Sequence, residues 1–308
     1  MSKPFAEQGD RPGYGFDAEQ GSLSGDPEKG EWLNSHNCDL CGGSERLPLP
    51  GDPSGRISIC GGCGFVYVPL RRSSAEVAAA WDEIYASGHY NPDWPGVKAR
   101  LYYVAEWIEQ NIGWAGKDVL DIGAGKGQFL RFLIRYPVGT MVGLEPCQRP
   151  ENIPDGTGWW TATIEKIWAF PEYFDEKFDI ITILWTLENT ADCLAMLRFA
   201  RQRLKPGGHV VVATGSRIGY RAFKKPLRHY LPQNPDYPHD THCFRWSFAS
   251  LLKAALLCGL DGDKWNDSED RDEMVMAFKS CEPISNAFPG DDPELIKNHF
   301  ENWQRLFP

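Results

Sequence analysis

The sequence lacks any long hydrophobic run. No stretch of its 308 residues reaches the roughly 20 consecutive apolar residues that a membrane-spanning helix needs. The first residues, MSKPFAEQGDRPGYGF, also lack the apolar core of a signal peptide. We therefore expect a protein with no membrane partner and a cytoplasmic location.

An excess of positive charge is also missing. Lysine and arginine together number 32 against 42 aspartate and glutamate residues, which gives a formal net charge of -10 at pH 7. This acidic balance argues against a surface that grips the phosphate backbone of a nucleic acid. The compact basic pairs, Arg71–Arg72 and Lys224–Lys225, are more simply explained as solvated surface. Nucleic acid is therefore not the expected partner.

The nine cysteines are odd in number, so a complete disulfide framework is not expected. Four of them form two pairs, Cys38 with Cys41 and Cys60 with Cys63, separated by 18 residues. This spacing is typical of a four-cysteine zinc site, because each pair can turn two thiolates toward one ion. The alternative is redox or merely buried cysteines, but two pairs in a short, core-poor segment favour zinc. Four thiolates leave no open position, so the expected zinc is structural.

Composition and patterning divide the chain into five predicted segments. The start is rich in glycine, proline, serine and acidic residues and has no apolar period, which is typical of disorder. Further on, Ser73 and Glu76 form a predicted capping box in SSAEVAAAWDEIYAS. The predicted segments are a disordered tail (1–30), a zinc ribbon (31–70), a helical linker or lid (71–116), an α/β core with an insertion at 216–244 (117–282) and a C-terminal helix (283–308).

Short apolar runs alternate with helical patterns after Asp118. The runs are DVLDI, GTMVGLE, GWWTAT, FDIITIL and HVVVAT. Continuous apolar strands separated by helices such as CLAMLRFARQRL predict a parallel sheet buried on both faces. Two more strands are predicted near LDGDKW and MVMAFKS. If these two pair as a hairpin, the last strand lies antiparallel in the sheet.

A glycine-rich turn follows the first of these strands, in VLDIGAGKGQFL. Gly123, Gly125 and Gly127 let the backbone turn sharply and approach a ligand with no Cβ in the way. The G-x-G-x-G spacing differs from the G-x-G-x-x-G of dinucleotide sites. Asp121 precedes the turn, where an acid suits a cationic ligand better than a pyrophosphate. Glu145 ends the second strand, at the position where an acid accepts hydrogen bonds from a ribose diol.

The motifs VLDIGAGKG, GLEP, FDIITILWTLENTAD and LKPGGHVVV resemble, in order, those of class I S-adenosylmethionine-dependent methyltransferases. The resemblance covers about residues 97 to 280 and implies a Rossmann-like, seven-stranded, mostly parallel sheet. It implies that the three glycines line the methionine part of the cofactor, that Asp121 lies beneath it and that Glu145 holds the ribose. The remaining cofactor-binding residues implied by the resemblance are Thr163 and Ile164 near the adenine, Leu184 and Trp185 beside the cofactor, and Tyr90 (or Tyr85) closing over it.

A zinc ribbon before such a core resembles methyltransferases of bacterial sugar and polysaccharide biosynthesis, and HCFRWSFASL matches a C-terminal motif of some of them. The resemblance implies a small, oxygen-rich, sugar-like acceptor. Two alternatives stay open. One is an RNA-base methyltransferase whose ribbon contacts nucleic acid, although no run of basic residues supports it. The other is a non-catalytic binding protein of the same fold.

The stretch PHDTHC places His239, Asp240 and His242 within four positions. Loops after the strands of a parallel sheet lie over their carboxyl ends, where ligands bind. A metal site, a general base and an ordinary structural loop are all possible origins of this cluster. A neutral imidazole could take a proton from the acceptor, and His242 is the preferred candidate because the C-terminal motif falls on it. His239 and Asp240 are the second choices.

Overall fold

The computed structural model describes residues 34–52, 55–71, 73–87, 91, 93–169, 175–215, 218, 242–266, 273–284 and 289–306. The predicted disordered tail, most of the predicted insertion, and the candidate residues Tyr90, His239 and Asp240 lie outside this part of the chain. None of the described helices is long and apolar enough to cross a membrane.

Thirteen strands and seven α-helices are assigned within the described residues. The strands are β1 (Asn34–Ser35), β2 (Arg46–Pro48), β3 (Ser58–Cys60), β4 (Val66–Tyr67), β5 (Leu70–Arg71), β6 (Val119–Ile122), β7 (Met141–Leu144), β8 (Gly158–Trp160), β9 (Phe178–Leu184), β10 (Leu204–Gly215), β11 (Phe244–Arg245), β12 (Leu260–Trp265) and β13 (Glu273–Ser280). The helices are α1 (Ser74–Ser87), α2 (Pro95–Asn111), α3 (Gln128–Leu133), α4 (Ile164–Ala169), α5 (Cys193–Arg203), α6 (Phe248–Leu257) and α7 (Pro293–Leu306).

A seven-stranded sheet with the order β12-β13-β10-β9-β6-β7-β8 forms the centre of the molecule. The five strands from β10 to β8 run parallel, whereas β13 is antiparallel to both β10 and β12. The predicted Rossmann-like sheet, with its final antiparallel strand, is thus confirmed. The strand β9 is buried over nearly its whole length, as expected when helices cover both faces.

Helices α2 and α3 cover one face of the sheet, and α4, α5 and α6 cover the other. Leu101, Val104, Ala105 and Ile108 of α2 are buried at helical spacing, because this stripe faces strands such as β6 and β9. The predicted capping box also forms, since Glu76 accepts a hydrogen bond from the Ser73 backbone N–H at 2.8 Å.

The N-terminal ribbon is built into the rest of the molecule. Its sheet has the order β11-β4-β3-β2, so one of its four strands, β11, comes from the end of the predicted insertion. Helix α7 packs against the other side of the ribbon through Ile296, Phe300 and Trp303. The sequence predicted neither contact, since a two-residue strand such as β11 carries no recognisable pattern.

Candidate active site and metal centre

A cavity of about 470 Å³ opens above the carboxyl ends of β6, β7, β9 and β10. This is the edge at which open α/β sheets bind ligands. Its walls come from the turn after β6, the ends of β7 and β9, one face of α1, and the segment around β11. The lining includes Ser74, Val77, Ala78, Trp81, Tyr85, Arg100, Asp121, Gly123, Gly125, Glu145, Thr163, Ile164, Leu184, Trp185, Glu188, Asn189, His242, Phe244 and Arg245.

The glycine turn after β6 can be made only by glycine. Gly123 and Gly125 have φ angles of +74° and +55°, in the left-handed region. A Cβ on Gly123 would lie 2.2 Å from side-chain atoms of Thr186, and one on Gly125 would lie 2.8 Å from the Tyr85 hydroxyl oxygen. Gly127 begins α3 and faces Ile153, so it is not among the described residues that line the cavity.

Glu145 reaches across to the glycine turn from the end of β7. Its Oε2 accepts a hydrogen bond from the Gly125 N–H at 2.9 Å. The residue is only 7% exposed. Burial raises the pKa of its carboxyl, while the Gly125 hydrogen bond opposes this rise. A second carboxylate oxygen and the remaining lone pairs can accept hydrogen bonds from a ligand in the cavity.

Asp121 lies deeper, near the end of β6. Its Oδ1 accepts a hydrogen bond from the Thr182 hydroxyl at 2.7 Å. Burial raises the pKa of this carboxyl, the Thr182 hydrogen bond lowers it and the nearby Glu145 raises it, so that the pKa is about 7. Two buried carboxyls beside one cavity make negative charge costly there. A cation, such as the ammonium or sulfonium of S-adenosylmethionine, would offset that cost.

Thr163 and Ile164 lie where α4 begins. The Thr163 hydroxyl accepts a hydrogen bond from the Lys166 N–H at 3.3 Å, and the Thr163 carbonyl accepts one from Ile167. Thr163 thus ends the loop after β8 and starts a short helix. The side chains of both residues line the cavity, near the end where the resemblance puts the adenine.

Trp185 follows β9 in a strained conformation. It is the only non-glycine residue with positive φ, +51°, among the described residues. The Trp185 N–H donates to the Ala213 carbonyl at 2.6 Å, and the Asn189 side-chain amide donates to the Trp185 carbonyl at 2.9 Å. The guanidinium carbon of Arg100 lies 4.6 Å from the centre of its ring. Such strain often marks a functional position, and Arg100 suits the carboxylate that S-adenosylmethionine also carries.

One face of α1 forms a wall that the sequence did not predict in full. Ser74, Val77, Ala78, Trp81 and Tyr85 follow one another at helical spacing and all line the cavity. The ring centres of Trp81 and Tyr85 are 5.6 Å apart. The helical spacing of these residues is visible in the sequence, but an alanine-rich helix with one aromatic stripe more often packs that stripe against a core. The sequence alone therefore does not identify them as cavity residues.

His242 also lines the cavity, as the glycine turn does. Its backbone carbonyl accepts a hydrogen bond from Arg245 Nη1 at 2.6 Å. The next residue, Cys243, donates its N–H to the Glu188 carbonyl at 2.7 Å. Of the three predicted residues in PHDTHC, His242 therefore shares the cavity with Asp121 and Glu145, whereas His239 and Asp240 lie outside the described residues.

The four paired cysteines meet in the ribbon. Their sulfur atoms all lie within 4.8 Å of one another. Cys38 Sγ is 3.6 Å from Cys63 Sγ, and Cys41 Sγ is 3.4 Å from Cys60 Sγ. Tetrahedral zinc with bonds of about 2.3 Å holds its sulfurs about 3.8 Å apart, so the cluster fits that ion.

Comparison with known proteins agrees with this geometry. Residues 97–262 match a family model described as a methyltransferase domain. This match spans more than half of the chain, and the chain therefore belongs to that family. The seven-stranded sheet, the glycine turn and the family membership together define an S-adenosylmethionine-dependent methyltransferase.

Similar curated proteins carry the name ubiquinone biosynthesis O-methyltransferase. The protein from Escherichia coli O127:H6 is 28% identical over 225 residues, which cover 70% of this chain and 87% of the relative. The protein from Pseudomonas fluorescens is 31% identical over 119 residues, 36% of this chain and half of the relative's length. Neither name refers to a sugar, so the sugar-like acceptor remains a prediction.

Two solved structures share the fold at low sequence identity. A Burkholderia thailandensis 1,6-didemethyltoxoflavin-N1-methyltransferase, solved with S-adenosylhomocysteine, has a TM-score of 0.50 and 13% identity, covering 71% of this chain and 96% of its own. The cyclase SpnF has a TM-score of 0.51 and 14% identity, covering 70% and 98%. At such identities the likeness concerns the fold alone.

Proposed function

We propose that the protein methylates a hydroxyl group of a small, oxygen-rich acceptor, with His242 as the general base. The observation that carries the proposal is that His242 lines the same cavity as the glycine turn, Asp121 and Glu145. An imidazole at this place can meet an acceptor that enters beside the methyl donor. His239 and Asp240 remain the second choices for the base, and Asp240 is also proposed to orient either imidazole.

A second group of cavity residues would bind the cofactor. Glu145 would accept hydrogen bonds from the ribose hydroxyls, and the glycine turn would lie against the methionine part. Asp121 would offset the positive charge, and Arg100 would pair with the carboxylate. Thr163, Ile164, Leu184 and Trp185 would enclose the adenine and the sulfur, with Tyr85 or Tyr90 closing over them.

The reaction needs little beyond alignment and proton removal. S-adenosylmethionine, when bound, supplies a methyl group on an already activated sulfonium. The protein must hold the acceptor hydroxyl in line with that methyl group and exclude water. His242, in its neutral form, would take the hydroxyl proton as the new oxygen–carbon bond forms. The aromatic side chains of Trp81, Tyr85 and Phe244 give the cavity the apolar wall that excludes water.

A sugar-like acceptor is the first candidate, on the resemblance of the ribbon and C-terminal motif to sugar methyltransferases. A phenolic acceptor is the second, and two observations favour it. The similar curated proteins are named for O-methylation in ubiquinone biosynthesis. The rings of Trp81, Tyr85 and Phe244 also offer flat surfaces on which a planar ring can pack. A cavity of about 470 Å³ suits either class of small molecule.

We propose one structural zinc ion held by Cys38, Cys41, Cys60 and Cys63. The close approach of the four sulfurs supports it, and a closed set of thiolates leaves no position for catalysis. An acceptor in RNA is disfavoured by the acidic charge of the chain.

The proposal is tested by measuring S-adenosylhomocysteine release with three sets of acceptors: nucleotide sugars, hydroxylated benzoates and RNA. Once a set supports turnover, the variant His242→Ala should lose most of the rate, since general-base catalysis contributes about 10²- to 10⁴-fold. The matched control is His209→Ala, which removes a histidine from β10 that bonds Asp263 at 3.0 Å. Full turnover in His242→Ala, with turnover also intact in the control, would assign the base to another residue.

A further inference from the structure

The cavity segment from His242 to Ser247 is attached to the cysteine ribbon at its first end by strand pairing. Strand β11 runs antiparallel to β4, with Phe244 opposite Tyr67 and Arg245 opposite Val66. The Val68 N–H also donates to the Cys243 carbonyl at 2.9 Å. These contacts fix the backbone directly after His242.

Strand β4 is in turn tied to the second cysteine pair. The Cys60 N–H donates to the Phe65 carbonyl at 2.8 Å, and the Gly64 N–H donates to the Cys60 carbonyl at 2.9 Å. The ring of Phe65 then packs on Phe244 and Trp246, with centres 5.7 and 5.0 Å apart. The turn that carries the two thiols therefore sets the position of β4, and β4 sets the position of β11.

A second link joins the same turn to the far end of the segment. The Cys63 carbonyl accepts a hydrogen bond from the Asp291 N–H at 3.0 Å. Asp291 Oδ2 accepts one from the Ser247 hydroxyl at 2.5 Å, and Ser247 is the N-cap of α6. The approach is close enough that a Cβ on Gly64 would lie 2.7 Å from the Asp291 Cβ. Both ends of the segment thus depend on one thiolate turn.

Three residues of this segment line the cavity. His242, Phe244 and Arg245 line it, and Arg245 holds the His242 carbonyl. Asp121 and Glu145 also line the cavity, and they lie in β6 and directly after β7 of the large sheet. The cavity therefore has one part built on the sheet and another part attached to the ribbon, and this second part is also joined to the residues after β9 by the Cys243 N–H to Glu188 hydrogen bond.

We propose that the metal-binding turn Cys60–Cys63 is a positioning element for the acceptor side of the active site. A metal held by the four thiolates fixes the turn, and the turn fixes His242 and Arg245 through β4 and Asp291. Loss of the metal loosens residues 242–247 and leaves the cofactor side in place. The consequence for turnover rests on the proposed role of His242, whereas the mechanical link does not.

The test compares Asp291→Ala with Asp292→Ala in the full-length, metal-loaded protein. Asp292 is the matched control, because its carboxylate accepts the Glu294 N–H at 2.8 Å and so serves α7 alone. Hydrogen exchange followed by mass spectrometry should show about tenfold faster exchange at residues 242–250 in Asp291→Ala, the loss expected for one buried hydrogen bond to a charged group. Asp292→Ala should leave that segment unchanged.

Two further measurements complete the test. Zinc content should stay the same in both variants, and calorimetric affinity for S-adenosylhomocysteine should stay within about twofold, since one hydrogen bond far from the cofactor is lost. With the acceptor that supports turnover, Asp291→Ala should lower kcat and leave the KM for S-adenosylmethionine unchanged. Removing the metal from the wild type with a chelator should speed exchange at 242–250 before it affects residues 119–145.

Unchanged exchange at 242–250, in both Asp291→Ala and the chelated wild type, would overturn the proposal. If Asp291→Ala does not fold, the chelated wild type decides alone. Faster exchange together with full turnover in His242→Ala would instead keep the mechanical link and reject His242 as the base. The two failures are therefore distinguishable.

Discussion

Replacing Asp121 by asparagine should make the ligand-free protein more stable at alkaline pH. Asp121 is 2% exposed. Its pKa in the folded protein is raised from 3.8 to about 7 by burial. The folded protein therefore holds more protons than the unfolded chain between these values, and stability falls as pH rises from about 4 to about 7. Asparagine has nearly the same shape, can still accept the Thr182 hydrogen bond, and carries no charge to bury.

The size of the effect follows from the pKa. A rise from 3.8 to about 7 corresponds to at most about 4 kcal/mol at pH 8, and local relaxation reduces this figure. Near pH 4 the wild-type carboxyl is mostly protonated when folded, so the two proteins should have similar stability. For a domain of this size, each kcal/mol moves the unfolding midpoint by about 2–4 °C.

The same substitution should weaken the binding of S-adenosylmethionine, by about tenfold or more, because an acid near a cationic ligand is lost. In the wild type a bound cation favours the ionised carboxylate, so affinity should rise with pH up to about 7 and level off. The affinity of Asp121→Asn should not follow pH in this way. Calorimetry across pH 5 to 8 on both proteins provides the measurement, with thermal unfolding at the same pH values.

Asp118→Asn is the control variant, because its expected effect on stability at pH 8 has the opposite sign. The Asp118 carboxylate lies 2.5 Å from Lys205 Nζ, and this hydrogen bond lowers its pKa to about 2. Its contribution to stability is present above the unfolded value and is lost as pH falls, so this variant should be less stable than the wild type at pH 8. An Asp121→Asn protein that is less stable than the wild type at pH 8, or that binds S-adenosylmethionine equally well, would refute the reasoning.

Three further outcomes are expected. Glu145→Gln should weaken S-adenosylhomocysteine binding by on the order of 1–3 kcal/mol, measured by calorimetry, since a charged hydrogen-bond acceptor for the ribose is lost; unchanged affinity would remove the ribose assignment. Gly125→Ala should weaken the same binding, whereas Gly113→Ala, also at positive φ but facing open space, should not. Freshly purified protein should hold one zinc per chain, and Cys41→Ser should lower that content; elemental analysis that finds no zinc would contradict the ribbon assignment.

The large sheet could be predicted because its strands carry a local signal. Runs such as FDIITIL are apolar throughout, and they are buried on both faces as that pattern requires. The glycine turn and the cysteine pairs were equally visible, because left-handed backbone and metal ligation each demand one residue type. In each case the physical requirement falls on a few neighbouring residues.

The part of the cavity around β11, α1 and Arg100 could not be predicted in the same way. Strand β11 has only two residues and pairs with β4, which lies more than 170 positions earlier in the chain. The neighbouring residues therefore carry no pattern that predicts this pairing. In the sequence, Arg100 has the pattern of an ordinary surface residue of α2. In the structure, its guanidinium lies over the ring of the strained Trp185. Tyr85 was one of two candidates to close over the cofactor, and the structure places it beside Gly125. Contacts between residues far apart in the chain determine where these side chains lie, and such contacts produce no pattern in the neighbouring sequence.

The division of the cavity bears on which reaction this fold performs. A protein named as a cyclase shares the sheet and its connections, so the sheet alone does not determine the chemistry. In this chain the proposed cofactor-binding residues Asp121 and Glu145 lie at β6 and β7, whereas the proposed acceptor-side residues are attached to the ribbon through β11 and Asp291. Substitutions in this second group can therefore change the acceptor or the base and leave donor binding intact. The residues that select the acceptor should therefore be identified with variants of the β11 segment rather than with variants of the glycine turn.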